Sequence, residues 1–163
     1  MRTTRTWIYG TAFTVLLILI FGAWHLYSSN MSDQTRDAAA AVDKAKQHYS
    51  FDRVLSVSAY HGTDAYQVVK AKRNGKTVYF WVPDDSKKAA YIERRASDGL
   101  TKNQVLALFE RQMFDVKRLI SVRLGAINGN PVWEVTFLST NQHYNYVSFY
   151  FDSGKEAQRI LNL

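Results

Sequence analysis

The sequence predicts an α+β protein. An N-terminal transmembrane helix precedes two tandem units, each one helix packed on a four-stranded antiparallel sheet. Three observations carry this. Trp7–Tyr27, WIYGTAFTVLLILIFGAWHLY, runs 21 residues without Asp, Glu, Lys or Arg. Beyond it, a segment of helical spacing gives way to short alternating segments separated by turn residues such as Asn74-Gly75 and Asn128-Gly129. That order, helix first and strands after, then occurs a second time.

A helix of that length reaches about 31 Å, the thickness of a bilayer's hydrocarbon core. Trp7 and Tyr9 at one end, and Trp24 and Tyr27 at the other, are side chains that favour the headgroup level. Arg2 and Arg5 in the short segment 1–6 keep the N-terminus cytoplasmic, so residues 28–163 are expected outside. That exterior is basic: without Arg2 and Arg5, 19 Lys+Arg face 14 Asp+Glu, a formal +5. Long domains cross largely regardless of charge, so the orientation stands. A cleaved signal peptide is the rival, but Phe21-Gly22-Ala23 puts Phe where a small residue belongs. An uncleaved, single-pass anchor in the cytoplasmic membrane is expected.

The chain has no cysteine, which excludes disulfides, thiolate metal sites and cysteine nucleophiles together. Its exported part must rely on its core, and ten Tyr, nine Phe and four Trp can supply one. An isoelectric point near 9.6 points to acidic partners or anionic wall polymer and lipid, set against a merely solvated basic surface. Export argues against nucleic acid.

In chain order, residues 28–32 read as a linker. The first unit, 33–96, opens with a helix whose Ala38, Ala41, Val42, Ala45 and Tyr49 share one face, with Ser32 as its cap. Arg53–Tyr60 alternates with Leu55, Val57 and Ala59 inward, and Ala65–Lys72 follows. Asn74-Gly75 suits a type I′ hairpin turn into Thr77–Val82, where Val78, Phe80 and Val82 oppose Tyr79 and Trp81. Pro83 stops that strand, and a short one spans about Ala89–Glu93. The second unit, 97–163, begins at Ser97-Asp98-Gly99. Thr101 to Gln104 fits a capping box, and the helix runs to about Met113 with Val105, Leu108, Phe109 and Gln112 or Met113 inward. Strands are expected at Arg118–Leu124, Val132–Leu138, Tyr144–Phe151 and Ala157–Leu163.

The halves are a repeat. Arg53-Val54-Leu55-Ser56-Val57 matches Arg118-Leu119-Ile120-Ser121-Val122 at a spacing of 65, and Val78, Phe80 and Val82 parallel Val147, Phe149 and Phe151 at 69. Units this small gain by packing on each other, so a docked pair is expected.

No catalytic, metal or cofactor residue emerges. His25, His48, His61 and His143 lack ligand spacing, and Gly75-Lys76-Thr77 lies in a hairpin rather than at a helix N-terminus. Asp84 and Asp85 are adjacent and point apart, and Glu134 reads as a solvated outward position. Tyr60, Tyr79, Trp81, Tyr144 and Tyr150 oppose or end the inward sets. They either face a protein partner or carry the packing of one repeat on the other.

Trp81-Val82-Pro83 followed by Lys87-Lys88, the run ISVRLGAINGNPVWEVTFL from Ile120 to Leu138, and YNYVSFYFDSG from Tyr144 to Gly154 resemble the TseB (YpmB-like) proteins of Gram-positive bacteria. The resemblance implies tandem cystatin-like domains, related to PepSY modules, outside the cytoplasmic membrane. It also implies regulation of cell-wall elongation through a class B penicillin-binding transpeptidase, with no catalytic residue to carry over. The expected function is thus a non-enzymatic, membrane-anchored regulator. A binder of anionic wall polymer or lipid, and a protease inhibitor or propeptide-like module, are the alternatives.

Overall fold

The computed structural model describes the backbone of residues 2–163 and the side chains of residues 13, 15–24 and 34–163. Helix α1 is continuous from Arg2 to His48. Ser32 therefore lies inside the helix, not at its start, and the expected linker 28–32 is helical. No glycine or proline occurs between Gly22 and Gly62 to end it earlier.

The chain forms two compact units, residues 1–37 and residues 38–163. In the first, the described side chains of the expected span, including Trp24, are exposed and almost all apolar. Trp7, Tyr9 and Tyr27 lie outside the described side chains. Among the described residues no helix is long and apolar enough to cross a membrane.

Residues 38–163 hold two four-stranded antiparallel sheets, each in sequential order. Sheet A comprises β1 (Arg53–His61), β2 (Ala65–Arg73), β3 (Lys76–Pro83) and β4 (Ile92–Arg95). Sheet B comprises β5 (Arg118–Ile127), β6 (Asn130–Leu138), β7 (Tyr144–Tyr150) and β8 (Glu156–Ile160). Asn74 (φ 50°) with Gly75 (φ 74°), and Asn128 (φ 50°) with Gly129 (φ 73°), make the two tight turns; both central residues take the positive φ that type I′ demands. Strand β4 starts later than expected because the amides of Lys88 and Ala89 turn back to the Asp85 carbonyl.

The C-terminal turns of α1 lie close against sheet A through the fully buried Ala41 and Ala45, which pack with Val69, Ala71, Val78, Phe80 and Val82. Tyr49 stacks on Phe80 at 4.5 Å between ring centroids. Sheet B is covered by α2 (Lys102–Glu110), whose Thr101–Gln104 capping box forms as expected. This helix ends before Met113. Three-residue hydrogen bonds from Gln112 to Phe109 and from Met113 to Glu110 tighten its last turn, and Met113 adopts φ 54°. Met113 thereby leaves the inner face and is 89% exposed, while Phe114 folds back on Phe109 and Phe137 at 5.3 Å from each.

The repeat extends to its irregularities. β1 is bulged between Val54 and Ser56, and β5 between Leu119 and Ser121, so Leu55 and Ile120 are the extra residues in equivalent places. The bulge changes the parity of β1. Val54 and Val57 pack inward and Leu55 stays 40% exposed, instead of Leu55, Val57 and Ala59 forming the inner set. Register also corrects the later alignment. Val69 pairs with Phe80 and Val135 with Val147, which equates Phe80 with Val147 at 67 residues rather than 69, one pleat away.

Candidate interaction surface

Strand alternation gives each sheet a helix-covered face and a bare one, and the bare faces meet. Tyr60 on β1 and Gly125 on β5 are repeat equivalents at the 65-residue spacing. The Tyr60 ring lies over Gly125 so closely that a Cβ there would sit 2.3 Å from it. Trp81 donates its indole N–H to the Gly125 carbonyl at 2.8 Å and meets Phe151 edge-on at 5.8 Å. Register equates Trp81 with the buried Ser148. The two repeats within residues 38–163 thus interlock asymmetrically: the first supplies Tyr60 and Trp81 where the second supplies Gly125 and Ser148. Tyr66, Val68, Trp81 and Ile92 consequently share one core with Val105, Phe109, Val135, Phe149 and Phe151.

A buried polar cluster fixes this joint. The Tyr60 hydroxyl donates to Glu134 Oε2 at 3.1 Å, and Arg123 donates to Glu134 Oε1 at 3.0 Å and lies 5.7 Å from the Tyr60 ring centroid. Glu134, expected to be solvated, is only 8% exposed. Its outward strand face is the very face that the other sheet covers. Burial first, then the Glu134 charge and its hydrogen bond, hold the Tyr60 phenol well above its ordinary pKa of 10.0.

The five aromatic candidates therefore separate. Tyr60 and Trp81 are fully buried, so they carry internal packing and offer no free surface. Tyr79 and Tyr150 are half-buried, and Tyr144 is exposed. No cluster of three metal-ligating side chains occurs among the described residues. His48 lies against Tyr91 with ring centroids 3.8 Å apart, and Asp85 accepts the backbone N–H of Lys87 at 2.9 Å.

The surface that the sequence left unread lies where α2 hands over to β5. Leu106, Phe109, Glu110, Met113, Phe114, Val116 and Leu119 line a groove of about 330 Å³. Met113, Val116, Leu119 and the bulge residue Ile120 are all exposed. Apolar residues continuing past a helix end, in neither helical nor alternating spacing, were the available signal.

What these features define is a double α+β module, two helix-covered antiparallel sheets joined through their bare faces, with an apolar groove between α2 and β5. Residues 40–83 match the family model of the cell wall elongation regulator TseB-like domain. The solved structure of the YpmB protein from Bacillus subtilis superposes with a TM-score of 0.68 at 28% identity, covering 76% of this chain and 95% of that one. The chain is thus similar to a TseB-like domain over residues 40–83 and to the YpmB fold over most of its length. The family model includes Trp81–Pro83 but not the later motifs. No curated protein matches the sequence.

Proposed function

We propose that this chain is a membrane-anchored, non-enzymatic regulator of cell-wall elongation that acts by docking on a class B penicillin-binding transpeptidase. Trp7–Tyr27 anchors it with the N-terminus inside, and the two cystatin-like units work outside. The observation that carries the docking reading is the groove beside Met113. Apolar side chains left in water around a concave site are what a protein partner's anchor residues fill. The family description supplies the cell-wall setting.

The test is direct binding of the full chain, in detergent, to a purified class B transpeptidase from the same cell. Met113→Asp should weaken that binding by about tenfold or more, the cost of placing a charge in an apolar contact. Undiminished binding by Met113→Asp would exclude the groove as the contact, and no binding by the parent chain would exclude the partner. Protease shaving of intact cells addresses the anchor: residues 38–163 should be digested from outside, and protection would reverse the orientation.

A further inference from the structure

The bare face of sheet A is longer than the joint that covers it. Its rows, read across the register, are Tyr60–Tyr66–Pro83, then Ser58–Val68–Trp81–Ile92, then Ser56–Lys70–Tyr79–Arg94, then Arg53–Lys72–Thr77. The first two rows hold the joint. The last two carry four cations around one half-buried tyrosine.

Arg53 and Lys72 stand directly opposite each other, a like-charge pair that costs a ladder stability. Lys70 lies 5.9 Å from the Tyr79 ring centroid. Arg53 and Lys70 have no acidic partner among the described residues, and Lys72 donates only to the Gly75 carbonyl at 3.1 Å. Of the nearby carboxylates, Asp152 pairs with Arg94 at 3.1 Å, while Asp52 accepts the Asn74 N–H at 2.8 Å and forms no ion pair among the described residues. The repeat supplies an internal comparison. At the positions of Lys70, Lys72 and Arg94 the second unit has Thr136, Leu138 and Ile160, and its ladder forms with them. Strand pairing therefore does not call for these three cations, whereas Arg53 has a basic equivalent in Arg118.

We infer that this face of sheet A, beside Tyr79, binds a linear polymer bearing repeated phosphates. Successive rows on one face are two residues apart, about 7 Å, so charges two rows deep meet a chain at several phosphates in series. Lys70, Lys72 and Arg94 are only partly exposed, with Phe151 against Tyr79 and Asp152 against Arg94. Recessed cations reach a thin chain better than a flat lipid surface. This reading goes beyond protein docking and uses a different face from the Met113 groove.

The probe is end-labelled inorganic polyphosphate, titrated with the full chain in detergent and followed by fluorescence anisotropy at several salt concentrations. Lys70→Thr with Lys72→Leu, the second unit's own residues, should weaken binding about tenfold and lower the log–log salt slope by about two. Lys87→Gln with Lys88→Gln removes the same charge elsewhere and should change affinity less than about twofold. If circular dichroism shows the first variant unfolded, Lys70→Gln with Lys72→Gln takes its place. Equal losses in the two variants, no loss in the first, no polyphosphate binding by the parent chain, or binding only to phosphatidylglycerol vesicles would each overturn the inference.

Discussion

Replacing Gly125 by Ala probes the joint at its tightest point. The new Cβ would meet the Tyr60 ring at 2.3–2.4 Å, and that ring cannot retreat: it is 1% exposed and tied through its hydroxyl to Glu134. Gly125 does not have a positive φ, so alanine meets no backbone penalty there. It should even gain about 0.5–1 kcal/mol from reduced chain entropy in a strand. Overpacking costs about 1–3 kcal/mol, so the net loss should be about 0–2.5 kcal/mol, at most a few degrees in Tm. The decisive comparison is a double-mutant cycle by denaturant unfolding with Tyr60→Ala. Removing the ring costs about 3–5 kcal/mol itself but gives the new methyl room, so Gly125→Ala should become neutral or stabilising in that background. The same penalty in both backgrounds would refute the interlocking of Tyr60 with Gly125.

Buried polar groups at the joint and elsewhere in sheet B set three further outcomes. Because the folded state holds the Tyr60 proton above pH 10, stability is fully present below that pH and falls as pH rises towards the folded value. Tyr60→Phe should remove one proton, about 1.4 kcal/mol per pH unit, from the alkaline slope of unfolding. An unchanged slope would show that the phenol is not protected. Glu134→Ala leaves the Tyr60 hydroxyl buried without its acceptor and Arg123 without its counter-charge; since Arg123 is 37% exposed, the loss should be about 1–3 kcal/mol by urea titration. The Thr136 hydroxyl is buried with no protein partner, so Thr136→Val should raise stability by about 1 kcal/mol, and a loss would mean that the hydroxyl is satisfied.

Much of the fold could be read because its signals are local. Asn74-Gly75 and Asn128-Gly129 fix turns by their own φ preferences, and Thr101 with Gln104 caps α2 within four residues. Alternation placed Val78, Phe80 and Val82 opposite Tyr79 and Trp81, as found. What alternation cannot say is what covers the second face. Glu134 and Tyr60 both looked outward, and both became interior when the other sheet arrived. The bulges at Leu55 and Ile120 were also hidden, although the matching pentapeptides contained them, because an extra residue leaves no mark until the strand is paired. Met113 fits the helical spacing of α2; only its left-handed backbone puts it in the groove.

The proposed function depends on contact made by an exposed apolar groove. Site-specific photo-crosslinking in growing cells tests it most directly, with the photoreactive residue at Met113 and, as control, at Lys87. Crosslinks to a class B penicillin-binding transpeptidase from position 113, absent at 87, are the predicted result. No such product at 113, or equal yields at both positions, would contradict it.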